Sequence, residues 1–159
     1  MNQKSLSNLL KLITVFMGIL GLFAFFWIIP ELISNMVSQA TFLQSYWCWM
    51  FLAWVIAIPC YISLFEFYRI CHKIGEDMFF SKETVISMKR ITKYLNVTAG
   101  LILIGMIGLQ LAGVPGHPGF MLLLLFIVFV VFAISALSST LAYLVSKAVD
   151  VQEENELTV

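Results

Sequence analysis

Long uncharged stretches alternate with short polar ones along the chain. Residues 12–30, between Lys11 and Glu31, carry no charge. Crossing a hydrocarbon core of about 30 Å takes about 20 apolar residues at about 1.5 Å rise each, so this stretch predicts a first membrane span. Its weakly basic N-terminal flank looks like the start of a signal peptide. The apolar run is too long for one, and no small-residue cleavage site follows, so an uncleaved span is expected. Between Glu31 and Glu66 no residue is charged. The segment LISNMVSQATFLQS is polar enough to predict a loop or interfacial turn, and residues 46–68 predict a second span. Tyr46, Trp47 and Trp49 at its start suit an aromatic belt at the membrane boundary. Pro59 inside it predicts a kink, with the freed carbonyl compensated by other helices or by Ser63. Residues 94–112 predict a third span. A fourth, at 120–146, is long enough to tilt or to emerge beyond the bilayer. The Gly/Pro-rich GVPGHPG between the last two permits only an antiparallel pair. The expected fold is an all-α integral membrane protein. Its four transmembrane helices form two antiparallel hairpins, and a short cytoplasmic amphipathic helix leads into the third span.

Composition agrees. Of 159 residues, 61% are hydrophobic and 11% charged, against about 25% charged in a soluble domain. Mean hydropathy is +0.97. The formal net charge of zero gives no case for direct nucleic-acid binding. It hides an asymmetry, however. Lys4 and Lys11 precede the first span. Arg69, Lys73, Lys82, Lys89, Arg90 and Lys93 lie between the second and third, and Lys147 follows the fourth. Basic residues stay in the cytoplasm. An even number of spans independently places both termini on one side, so both are expected to be cytoplasmic.

The polar segments carry what chemistry there is. In the basic linker at 69–93, Gly75 suits the end of an extended second helix. Ser81 suits an N-cap with Glu83 in the first turn, and Phe80 and Val85 suit a hydrophobic staple. At 100° per residue, Thr84, Val85, Met88, Ile91 and Leu95 share one face, and Lys82, Lys89, Arg90 and Lys93 share the other. Such a basic stripe meets anionic lipid headgroups or docks a cytoplasmic partner. The acidic tail at 147–159 is either a solvated helix end or a recognition element. As the latter it would fold back on the basic helix or hold a partner, with Leu157, Thr158 and Val159 added as a strand. The candidate partner or lipid contacts are Lys82, Lys89, Arg90, Lys93, Glu153, Glu154, Asn155 and Glu156.

Within the spans the chemistry is sparse. Transport pathways are usually marked by ionisable groups inside the bilayer, and the span interiors have none. Glu66 sits near the inner boundary at ion-pair spacing from Arg69. Asn96, Thr98, Gln110, Ser135, Ser138, Ser139 and Thr140 are mild polar groups. Gly108 and Ala112, Ser135 and Ser139, and Ser138 and Ala142 are small residues four apart, which suits packing between the third and fourth spans. Cys48, Cys60 and Cys71 have no pairing pattern. His72 beside Cys71 is too little for zinc, and His117 suits a solvated outer turn. No nucleophile or acid–base arrangement is present. The expectation is a protein that is not an enzyme and has no cofactor or metal.

Two segments carry a family likeness. GEDMFFSKETVISMKRITKYL, from Gly75 to Leu95, and the ending AVDVQEENELTV resemble the bacterial membrane family of domain of unknown function 2975. In the first, a glycine, phenylalanine, Ser/Thr and Glu-Asn pattern leads into a basic amphipathic helix. The second is similar to a tail of the form Gln-Glu-Glu-Asn-Asp-Leu-Thr. Here Thr84 stands where asparagine is common, and Glu156 where aspartate is. The resemblance implies a multi-pass plasma-membrane protein often encoded beside a small helix-turn-helix transcription regulator. It implies no catalytic or binding residues. The functional expectation is a non-enzymatic membrane protein that holds or regulates a cytoplasmic partner such as that regulator. The alternatives are a small transporter, channel or export component, and an immunity or envelope-stress protein. The lipid bilayer is the one partner composition requires.

The orientation is testable with an impermeant thiol reagent in intact cells. Cys48 and an engineered Gly116→Cys should react from outside, and Cys71 should not. Labelling of Cys71 without the outer-turn position would reverse the topology.

Overall fold

The computed structural model describes residues 3–36, 42–75, 80–114 and 117–157. Among them every long element is helical: α1 (Gln3–Phe23), α2 (Ile29–Met36), α3 (Phe42–Gly75), α4 (Lys82–Leu111) and α5 (Pro118–Leu157). A π-helical turn at Ala24–Ile28 joins α1 to α2 without a break. Four helices are long and apolar enough to cross a membrane: the first at Lys4–Asn35, then Ser45–Gly75, Lys82–Leu111 and Pro118–Gln152. Large apolar side chains such as Phe26, Phe51, Ile104, Leu122 and Phe129 stand exposed along them, a surface that suits lipid rather than water.

The helices pack in chain order. α1 and α2 lie against α3, α3 against α4, and α4 against α5. Some of the polar positions within the apolar stretches lie at these seams, while Gln110, Ser139 and Thr140 are exposed. Tyr61 donates to the Gly18 carbonyl at 3.1 Å, joining α3 to α1. Ser135 donates to Asn96 Oδ1 at 2.7 Å, joining α5 to α4. Thr98 is buried and turned back on its own helix, donating to the Tyr94 carbonyl at 2.9 Å. Interhelical bonds of this kind contribute about 0.6–2 kcal/mol each in lipid.

One glycine sets the spacing of α3 and α4. A Cβ on Gly105 would collide with the Leu52 side chain, so Leu52 seats directly on the α4 backbone. Of the three small pairs singled out in the sequence, Gly108 and Ala112 are exposed instead, while Ser135 and Ala142 of the other two are buried. A Cβ on Gly108 would meet nothing within 4 Å.

The helix ends follow local chemistry. The Ser81 hydroxyl accepts from the Thr84 N–H at 3.3 Å, starting α4. Phe80 stays exposed, while Val85 packs with Ile70 and Val145. α4 ends in a Schellman motif. Gly113, at φ 73°, donates to the Gln110 carbonyl, and Val114 donates to that of Leu109. Val114 is buried at the close of this turn, as the motif's apolar contact requires. The His117 side chain then caps α5, with Nδ1 accepting from the Gly119 N–H at 3.1 Å.

Several expectations need correction. Leu32–Met36 and Phe42–Ser45 are helical, not a turn, and residues 37–41 lie outside the described residues. Pro30 does not end the first helix. Its ring would crowd the carbonyl four residues back, at Phe26. The π-helical turn opens the ladder there, with the Ile29 N–H donating to Ala24, five back. Trp47 and Trp49 lie at nearly the same level of α3 but face different ways. Two residues apart on a helix are about 200° apart, so Trp47 is 66% exposed while Trp49 is 2% exposed. Trp49 packs edge-on to Phe120, with ring centroids 5.1 Å apart. Ser63 donates to Cys60 at 2.7 Å, not to the Val55 carbonyl that Pro59 frees. Cys71 is fully buried, so an exposed neighbour such as His72→Cys is the better inner-side thiol probe.

Gly105→Ala should lower stability in detergent by about 1–3 kcal/mol, the usual cost of overpacking. Leu52→Ala in the same chain should recover part of the loss, read as the shift in melting temperature.

Candidate functional site

Among the described residues the charged side chains other than Glu31 gather at one end of the molecule, here the basic end. There α3, α4 and α5 continue beyond their apolar stretches. A cluster of Ile70, Val85, Met88, Ala142, Val145 and Val149 holds them together. The inward positions of early α4, Thr84, Val85, Ser87 and Met88, are buried. Lys82, Lys89, Arg90 and Lys93 are exposed. Of the anticipated apolar face, Thr84, Val85 and Met88 are buried, while Ile91 and Leu95 are half-buried. The buried face meets protein, however: Val85 and Met88 pack on Ile70 of α3 and on α5.

The four basic residues do not act as one stripe. Arg90 turns toward α3 and donates to Glu66 Oε1 at 3.1 Å. Arg69 lies 3.7 Å from the same oxygen, at the anticipated i,i+3 spacing. The Glu66 side chain is only 7% exposed, while both arginines are about half exposed. Two cations thus neutralise one buried carboxylate. Its second oxygen, Oε2, is buried without a hydrogen-bond partner among the described residues. Arg90 is 24 positions from Glu66, a separation that helical spacing alone could not reveal.

Next to this triad, Lys73 donates to Glu83 Oε2 and ties the end of α3 to the first turn of α4. This hydrogen bond, with the attraction of the Lys73 ammonium, holds the Glu83 carboxyl below the ordinary carboxylate range. Arg69, Lys73, Glu83, Ser87 and Arg90 line a groove of about 190 Å³ between α3 and α4. Lys89 lines a separate groove of about 290 Å³ between α4 and α5, with Thr92, Ser139, Tyr143 and Ser146. Arg90 and Lys89, adjacent in sequence and about 100° apart on the helix, therefore line different grooves.

α1 docks on the same end. Ser7 donates to the Cys71 carbonyl at 2.6 Å, and Lys11 Nζ lies 2.9 Å from His72 Nδ1. These α1 contacts were not legible in the sequence, because nothing local singles out Ser7. α5 stays helical to Leu157, so the acidic segment continues the helix rather than folding back on α4. Asp150 and Glu154 are exposed. The side chains of Glu153, Asn155 and Glu156, and residues 158 and 159 of the anticipated strand, lie outside the described residues. Among the described residues no three His, Cys, Asp or Glu side chains gather where they could hold a metal.

Arg90→Met should destabilise the protein more than Arg69→Met. Breaking a buried pair costs about 3–5 kcal/mol. Half exposure and the remaining arginine cut that to about 1–2 kcal/mol here. Arg90→Met with Glu66→Leu should recover stability, because no buried charge is left unpaired. Denaturation of the purified chain in detergent reads both. The Lys73–Glu83 contribution has the depressed-carboxylate sign. It is present at neutral pH and lost as pH falls through the lowered Glu83 value, and Glu83→Gln should remove that acid-limb dependence.

A family model described as a protein of unknown function (DUF2975) matches residues 32–159. No curated protein and no solved structure matches the chain.

Proposed function

The chain belongs to the DUF2975 family of unknown function, and on that premise we propose that it is a non-enzymatic plasma-membrane protein. In this role it holds a soluble regulatory partner at its cytoplasmic, basic end. The spans form two antiparallel hairpins with both termini inside, and the first turns of α4 are the amphipathic element.

One observation carries this proposal. The three helices continue past their apolar stretches as a packed unit, closed by Ile70, Val85, Met88, Val145 and Val149. A frayed loop would lose conformational freedom on meeting a partner. A packed platform has already lost it, which favours tight association. The platform carries both signs, with Lys82, Lys89 and Lys93 exposed on α4 and Asp150 and Glu154 exposed on α5. Arg90 and Arg69 are committed to Glu66, so they belong to the support rather than to the contact. A small helix-turn-helix regulator presents a basic DNA-reading face. The acidic end of α5 complements such a face, and occupying it would keep the regulator from DNA.

The test uses the full chain in native membranes, with the neighbouring helix-turn-helix regulator co-expressed and tagged. Deleting Glu153 to Val159 should reduce co-purification at least tenfold without changing insertion. Lys89→Glu with Lys93→Glu should reduce it less, and Arg90 is left intact to keep Glu66 paired. If neither change alters retention of the regulator, the docking proposal fails and the transporter alternative moves ahead.

A further inference from the structure

The opposite half of the molecule holds a feature that docking does not use. A partly open cavity of about 340 Å³ lies among all four spans. Its wall is apolar apart from Cys60, Thr98 and the Trp49 indole N–H. Cys60 Sγ and Thr98 Oγ1 face each other at 3.9 Å, and the indole N–H is buried without a hydrogen-bond partner among the described residues. The wall runs along α3 from Trp49 to Cys60 and along α5 from Phe120 to Val131. At about 1.5 Å rise per residue each run is about 16 Å long. The hydrocarbon core is about 30 Å thick, so the cavity has the depth of one leaflet and lies parallel to the helix axes. Phe25 and Ile28 of the π-helical turn form part of the same wall, and π-turns recur at functional sites.

We propose that this slot is a binding site for one acyl chain of a bilayer phospholipid, inserted from the leaflet away from the basic end. Three features single out this occupant. An apolar cavity stays dry, so water does not fill it. A solute with polar groups would leave them unpaired against this wall, at a cost of several kcal/mol each on a hydrocarbon scale. A chain from the surrounding leaflet already matches the slot in polarity, direction and length. The exposed apolar surface around it, including Phe26, Trp54, Leu122 and Phe126, places that leaflet beside it. The headgroup then lies near Glu31 and Ser34, which border a shallow polar groove at this end. The site is independent of the basic platform, so the two proposals stand or fall separately.

Trp49 is the internal reporter, buried in the wall. The full chain is prepared with Trp27, Trp47 and Trp54 replaced by Phe and reconstituted in phospholipid brominated along its acyl chains. Trp49 fluorescence should fall at least twofold relative to unbrominated lipid. Ala53→Phe, which fills the slot while leaving the outer surface unchanged, should restore most of it. Thr98→Leu is a second filling variant in case the first does not fold. One phospholipid per chain should also survive detergent exchange, counted by native mass spectrometry, and be lost in the filled variant. Quenching that the filled variants do not relieve would come from bulk lipid and overturns the proposal. Quenching by brominated free fatty acid but not by brominated phospholipid assigns the slot to a free acid and overturns it as well.

Discussion

Lipid is as apolar as the side chains that face it, so bringing two helices together in a membrane gains little from burial alone. Close fit and hydrogen bonding must supply the difference. This constraint explains why α4 is the helix around which the others are arranged. It packs on both α3 and α5, and it is the most polar of the four candidate spans. Gly105 admits Leu52 to its backbone on one side, and Asn96 meets Ser135 on the other. Tyr61 and Gly18 repeat the device between α3 and α1.

The same rule inverts at the basic end. Where the helices leave their apolar stretches, water competes for their charges and burial regains its force. Ile70, Val85, Met88 and Val145 form a small core of the kind found in soluble proteins. Polar contacts then tie the elements around it: Glu66 with two arginines, Lys73 with Glu83, and Ser7 with the Cys71 carbonyl. A single chain therefore uses two kinds of cohesion along its length, and the Glu66 triad lies where one gives way to the other.

What could be read from the chain follows from how local each cause is. Long apolar runs, the Ser81 cap and the Gly/Pro-rich turn after α4 depend on a few consecutive residues, so they are legible in the sequence. Pairings between distant positions were not. Arg90 reads as one of four equivalent cations until α3 brings Glu66 beside it. Gly105 reads as an ordinary glycine in an apolar run, and the more conspicuous Gly108–Ala112 pair drew attention to the wrong face. Trp49 reads like its neighbour Trp47 by composition, and only its angle on the helix turns it inward. The elongated cavity has no signature at all, since it is made of ordinary apolar residues on several helices.

The π-helical turn has a consequence for the phase of the first helix. Ser7 and Thr14 are buried and Gly21 lies against Tyr61, so the inward positions recur every seven residues. Continued without interruption, that repeat would next turn Ile28 inward. Ile28 instead borders the open slot and stays 49% exposed. Ile29 packs with the buried group of Ile33, Trp49 and Phe120. The turn at Ala24–Ile28 absorbs one extra residue and advances the inward face by one position. The first helix is thus two half-helices of different phase, one matched to the lower part of α3 and the other to the wall of the slot. A family member lacking one residue in this turn could keep its apolar length and still be unable to satisfy both halves at once.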